Sequence, residues 1–174
     1  MDNYIFKKDA SLIENECKFC IEYFEKSNYN EKNSRGYSAI CTSLDFDQFS
    51  NLRKVLFENI TEYVQRHSFL STLYAPWTIE KLFNIQKYNI GDCYKGEHME
   101  HGKDNVDCKR LLGWMIYLND INIDGGTCWP QQNFVSIPRK GDLYIWPAGW
   151  THSHYGIPAP IEKKYILTGW CSFI

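Results

Sequence analysis

Imidazole and carboxylate pairs are where this 174-residue chain gathers groups able to hold a metal. It has five histidines, His67, His98, His101, His152 and His154, and all but His67 lie in the second half. In His98-Met99-Glu100 an imidazole and a carboxylate stand two residues apart. On a strand such residues share one face, so both can reach one ion. A third ligand has to come from a distant segment, and His152 and His154, again two apart, are the candidates. Two imidazoles and one carboxylate fill one face of an octahedron. They leave positions open for a bidentate ligand and dioxygen, as non-haem iron(II) oxygenases require. A zinc centre can use the same ligand types around one open water site, with a general base close by. An HxE pair alone arises by chance in many chains, so the surroundings have to decide.

The elements that must position these groups change character near residue 81. The first half reads as mostly helical. Ser11 followed by Glu14 is a capping-box pattern, and Ile13, Cys17, Cys20, Ile21 and Phe24 recur at helical spacing. The polar stretch Ser27 to Gly36 predicts a loop, and a short strand is expected over Tyr37 to Thr42. Asp45 with Gln48 opens a longer helix whose buried face carries Phe49, Leu52, Leu56, Ile60 and Tyr63 or Val64. Beyond residue 81, segments rich in Ile, Leu, Tyr and Trp alternate with turn residues: Phe83–Tyr88, Leu112–Leu118, Phe134–Ile137, Leu143–Trp146 and Lys164–Phe173. Many short strands with Gly, Pro and Asp punctuation predict a sandwich or barrel. No linker separates the halves, so the expectation is one domain, a β-sandwich buttressed by two N-terminal helices.

Composition limits the alternatives. The chain is 44% hydrophobic and 16% aromatic, which fits a globular core rather than disorder. A net charge of −2 gives no electrostatic reason to expect nucleic acid. Apolar runs such as Leu111 to Leu118 are too short to span a bilayer, and residues 1–9 lack a signal-peptide pattern. Seven cysteines, odd in number and irregular in spacing, read as free thiols in a reducing cytoplasm. Cys17 and Cys20 form a CxxC, but both fall on the apolar stripe of the first helix, so core packing is expected.

From Phe83 to Phe173 the chain resembles the prolyl 4-hydroxylase-like branch of the 2-oxoglutarate and iron(II)-dependent oxygenases. The landmarks come in order: Gln86 to Gly91 and Tyr94 leading into His98-Met99-Glu100, then Arg110 with Tyr117-Leu118-Asn119, Gly125-Gly126-Thr127, and Pro138 to Asp142. His154, Lys164-Tyr165 and Trp170 follow with the family's spacing. That spacing selects His154 over His152, because ten residues beyond His152 stands Glu162.

The resemblance implies a fold that is α+β but mainly β, a double-stranded β-helix (jelly roll) with two N-terminal helices. Residues 1–174 would form one domain, with 1–80 as mostly helical support and 81–174 as the core with the metal site. It implies iron(II) on His98, Glu100 and His154, and 2-oxoglutarate with its distal carboxylate on Lys164 and Tyr88. Dioxygen is a cosubstrate, and ascorbate is admitted as a further cofactor. The implied reaction hydroxylates an unactivated C–H bond of a protein, peptide or amino acid, a peptidyl proline first, with succinate and carbon dioxide as coproducts. A cytoplasmic setting without membrane or nucleic-acid partners is expected.

His152 is left behind the ligands or on the substrate side, His101 toward solvent ahead of the substrate, and Arg110 in a structural ion pair ahead of a cosubstrate contact. Trp114, Trp129, Trp146 and Trp150 suit a dry pocket wall, with at least half of them belonging to ordinary core. The chain departs from the family pattern in three places. Glu100 replaces the commoner Asp, the gap from Tyr88 to His98 is one residue longer than the family pattern, and Gly113 replaces a Thr, which would enlarge or alter the cosubstrate pocket. A carboxylate at 100 also argues against a halogenase, and Lys164 in register with His154 against a zinc hydrolase.

Overall fold

The computed structural model describes residues 3–12, 14–27, 39–72, 75–94 and 96–174, with backbone only for 39–43 and Gln48. The loop expected after Ser27, the first two residues of the expected strand (Tyr37 and Ser38), and Ile13 of the helical stripe lie outside the described residues. In chain order the elements are β1 (Phe6–Lys8), α1 (Glu14–Lys26), β2 (Ala39–Asp45), α2 (Ser50–Arg66), α3 (Ser68–Ser71), β3 (Trp77–Ile79) and β4 (Leu82–Tyr88). Then follow β5 (Arg110–Tyr117), β6 (Thr127–Trp129), β7 (Phe134–Val135), β8 (Leu143–Pro147), β9 (Tyr155–Gly156) and β10 (Lys164–Phe173).

Seven strands make an antiparallel major sheet in the order β1-β8-β5-β10-β4-β2, with β3 also on β10. A minor sheet, β7-β6-β9, packs across it. Two facing antiparallel sheets with helices on one side form the expected jelly roll. The first eighty residues supply three of the major-sheet strands, β1, β2 and β3, so this half does more than buttress. β1 and β3 have three residues each, too few for alternation to register in the sequence.

β10 is the spine. It pairs with β5 along one edge and with β4 and β3 along the other. Because side chains alternate faces, Leu167 and Cys171 enter the core under the helices, while Lys164, Ile166, Thr168 and Trp170 line a cavity on the other face. β4 and β5 divide likewise. Phe83, Ile85, Leu112, Trp114 and Ile116 face the helices, and Gln86, Tyr88 and Met115 face the cavity. The helix-side core receives Cys17, Cys20 and Phe24 from α1 and Leu52, Leu56, Ile60 and Tyr63 from α2, with Phe49 just ahead of it. Each such large side chain contributes roughly 1.5–3 kcal/mol by leaving water. Burial raises the Cys17 thiol to about 11 and Cys20 to about 12, so both are inert packing groups.

Two local expectations change. Ser11 does not cap α1; its hydroxyl donates to the Gly141 carbonyl at 2.8 Å. The Leu12 amide donates to the same oxygen at 3.2 Å, docking the chain on the turn before β8. Gly141 is required there, with φ +84° and the Leu12 carbonyl where a Cβ would lie. Asp45 caps a short 3-10 turn, Phe46–Gln48, accepting from the Asp47 amide at 3.1 Å, and α2 begins after it.

Candidate metal centre

Among the described residues between β4 and β5 there is no regular strand, so His98 and Glu100 do not sit on the strand expected for them. One antiparallel bridge replaces it. The His98 amide donates to the His154 carbonyl at 3.0 Å and the His154 amide returns a bond to His98 at 2.8 Å. Next to it the Glu100 amide donates to the Ala148 carbonyl at 3.1 Å. The bridge brings the imidazoles together, with ring centroids 4.4 Å apart. One ligand atom from each of His98, Glu100 and His154 lies within 4.8 Å of the others.

The hydrogen bonds around the imidazoles define their tautomers. Nδ1 of His98 lies 2.9 Å from the Gly96 carbonyl, and Nδ1 of His154 lies 3.0 Å from the His152 carbonyl. A carbonyl can only accept, so each Nδ1 carries the proton and each Nε2 presents a lone pair. This is the outer support that imidazole ligands need. Burial, followed by the neighbouring His154, lowers the pKa of His98, which favours the neutral ligand form.

Glu100 accepts the indole N–H of Trp170 on Oε2 at 2.5 Å, and its Oε1 lies 3.2 Å from Nε2 of His154. Burial pushes this carboxyl up. The Trp170 bond, together with His154 and His98 whenever those rings are protonated, outweighs it and holds the carboxyl below the usual carboxylate range. Two imidazoles and a carboxylate with convergent donor atoms fit a divalent cation of the first transition row.

The cavity around these groups measures about 1090 Å³ and extends along β10 to Lys164 and Tyr88. Lys164 is 2% exposed and donates to the carbonyls of Gly125 at 2.9 Å and Ile157 at 3.3 Å. Its ammonium stands 4.9 Å from the centre of the Tyr88 ring. No acidic side chain of the described residues pairs with it, and burial lowers its pKa to about 8. The Tyr88 hydroxyl donates to Gln86 at 2.7 Å, and the Gln86 amide donates to Thr168 at 3.2 Å. Sequence reasoning missed Gln86 and Thr168 as cavity residues, and gave Trp170 no role beyond spacing. The available signal was strand phase, because Thr168 and Trp170 alternate with Lys164, and Gln86 with Tyr88.

Other expectations resolve as follows. His152 is buried and faces away, with Nε2 2.9 Å from the Asn3 carbonyl; it serves the centre through its backbone. His101 lines the cavity, with Nε2 2.6 Å from the Arg110 carbonyl, rather than pointing to solvent. Arg110 is structural: it pairs with Asp107 at 2.6 Å, lies 3.6 Å over the Trp170 ring, and donates to the Glu100 carbonyl. Trp129 and Trp146 pack on His154 at 5.6 and 5.1 Å. Trp114 belongs to the helix-side core. Trp150 is 68% exposed at the cavity mouth, so it is no part of a dry wall. The position of Gly113 does not enlarge the pocket either, because Trp146 and Glu100 fill the space beside it.

A jelly roll with two imidazoles and a carboxylate at one end of its cavity and a buried lysine in the same cavity defines a class of metal-dependent oxygenase folds. The 2OG-Fe(II) oxygenase superfamily matches residues 83–172, and the chain belongs to that superfamily. It is 27% identical over 108 residues to prolyl 4-hydroxylase subunit alpha-1 of Gallus gallus, covering 53% of this chain and 20% of that protein. The chain thus matches about a fifth of the length of such relatives.

Among solved structures, the viral collagen prolyl hydroxylase of Paramecium Bursaria Chlorella virus-1, in a 2OG complex, has a TM-score of 0.77 at 18% identity. That match covers 98% of this chain and 97% of that one. A Trichoplax adhaerens prolyl hydroxylase, in complex with a hypoxia inducible factor peptide fragment, gives 0.73 at 15%, covering 98% and 84%. These likenesses establish the fold.

Proposed function

We propose that this chain is an iron(II)- and 2-oxoglutarate-dependent dioxygenase that hydroxylates a prolyl residue of a protein or peptide. The observation that carries the reading is the convergence of His98, Glu100 and His154, with both imidazoles presenting Nε2. These three residues would hold the metal on one face. Iron(II), when bound with 2-oxoglutarate and dioxygen, supplies the oxidation that converts C–H to C–OH while the cosubstrate becomes succinate and carbon dioxide.

The chain's own residues bind and orient. Lys164 keeps an N–H for the distal carboxylate of 2-oxoglutarate, a charge-assisted bond in a dry site, and the Tyr88 hydroxyl sits beside it. Trp129 and Trp146 shield His154 from water. Trp150 and Met99, both exposed, edge the mouth and suit an apolar ring carried on an extended peptide. Residues 1–80 and 81–174 would act as one domain, since strands from both complete the sheet that carries the cavity.

No helix among the described residues is long and apolar enough to cross a membrane. A cytoplasmic setting follows from the odd number and irregular spacing of the cysteines, and fractionation would test it. The functional test is anaerobic loading with iron(II), then 2-oxoglutarate, followed by a proline-containing peptide in air. A visible charge-transfer band, lost in His98→Ala, Glu100→Ala and His154→Ala, with succinate formation stimulated by the peptide, is expected. Bound metal without the band would refute the cosubstrate assignment. A band without stimulation by any proline peptide would refute the substrate.

A further inference from the structure

We propose that Gly113 is a positioning residue for the metal ligands, its missing side chain making the room in which the Glu100 carboxylate and the Trp146 ring are set. The inference rests on the metal reading above.

Gly113 lies in β5, and both of its cross-strand partners are tryptophans: Trp170 on β10 and Trp146 on β8. Each partner serves a different ligand. Trp170 donates to Glu100, and Trp146 packs edge-on to His154. A Cβ at 113 would lie 2.8 and 2.9 Å from Cε2 and Cζ2 of Trp146 and 3.1 Å from Cγ of Glu100.

The backbone does not ask for glycine here. Positive φ among the described glycines is confined to Gly91, Gly125 and Gly141. Gly113 therefore matters for the space it leaves, where the ligand Glu100 meets the Trp146 ring that packs on the ligand His154.

Neither neighbour can yield without moving a ligand. The Trp146 ring is held between Trp129 at 5.3 Å and His154 at 5.1 Å. Displacing it presses on His154. Cγ of Glu100 can retreat only by drawing the carboxylate away from Trp170 and His154. Glu carries one methylene more than Asp, and that extra length has to be taken up by a sideways bend. Cγ, where the bend falls, is the Glu100 atom over Gly113. An aspartate reaching directly for the metal would not need this room, so residues 100 and 113 are set as a pair.

The test is a double-mutant cycle read by cobalt(II) affinity and the cobalt d–d spectrum, with thermal midpoints recorded separately. Gly113→Ala is expected to weaken cobalt binding about 10- to 100-fold, as loss of ligand support does, and to distort the spectrum. Glu100→Asp also weakens binding. The combined variant is expected to bind cobalt within tenfold of Glu100→Asp alone, because the shorter side chain relieves the contact at residue 100 while the contact with Trp146 remains.

Multiplying penalties in the combined variant, or wild-type affinity in Gly113→Ala, would overturn the proposal. Should Gly113→Ala alone fail to fold, the comparison of Glu100→Asp with Glu100→Asp/Gly113→Ala still decides it. Failure of the metal reading looks different: wild type would not bind cobalt, or His154→Ala would bind it unchanged, and the proposal would fall with it.

Discussion

Replacing Lys164 by methionine keeps the length and volume of the side chain and removes its charge. If the ammonium holds a carboxylate in the cavity, the variant loses one partner of a buried charged pair, which costs about 2–5 kcal/mol. That corresponds to a roughly 30- to several-thousandfold weaker affinity for 2-oxoglutarate. The wild-type site adds a pH signature. Burial sets Lys164 at about 8 in the empty cavity, and only the protonated form can pair with the carboxylate. At pH 7 about nine-tenths of empty sites carry the charge and at pH 9 about one-tenth, so wild-type affinity falls about tenfold over that range.

The variant should lack this slope. Stability provides a control. Because folding lowers the lysine pKa, the fold bears about 3 kcal/mol at neutral pH to keep the ammonium. This penalty is full below pH 8 and gone above the ordinary lysine value. Methionine removes the penalty but forfeits the bonds to Gly125 and Ile157, about 1.5–3 kcal/mol each, so the thermal midpoint should move modestly downward at most. The assay is anaerobic titration of metal-loaded protein with 2-oxoglutarate, at pH 7 and pH 9. An affinity within threefold of wild type in Lys164→Met, or a loss as large in the exposed neighbour Lys163→Ala, would refute the reasoning.

Two further outcomes are expected. Trp170→Phe keeps a ring under Arg110 but removes the N–H that Glu100 accepts at 2.5 Å. Cobalt affinity should fall about tenfold, and an unchanged titration curve would mean that the bond does not position the carboxylate. Leu56→Ala opens a cavity in a fully buried site between α2 and the major sheet. Urea denaturation should show a loss of about 3 kcal/mol, with metal affinity retained because the centre lies on the other face of the sheet.

Much of the site could be read in the sequence because its chemistry depends on residue type and on strand phase. His98 and Glu100 stand two apart, and the register from His154 to Lys164 follows the family's spacing. The buried faces of α1 and α2 obey helical periodicity, and Phe49, Leu52, Leu56, Ile60 and Tyr63 are buried as that period requires. Runs rich in Ile, Leu, Tyr and Trp set between turn residues likewise located β4, β5, β8 and β10.

Tertiary structure decided the rest. Strands of two or three residues such as β1, β3 and β9 carry no period, and exist because a neighbour offers open backbone groups. The ligands converge through a single bridge between His98 and His154, a pairing of residues far apart in the chain that no local pattern encodes. Ser11 bonds Gly141 rather than its own helix, because a distant turn supplies an acceptor. The choice between Nδ1 and Nε2 on each imidazole depends on which carbonyl the fold brings alongside. Gly113 gains its importance only once Trp146 and Glu100 close over it. Sequence specifies which groups are available and how they alternate; the distances that make them a centre come from packing between segments remote in the chain.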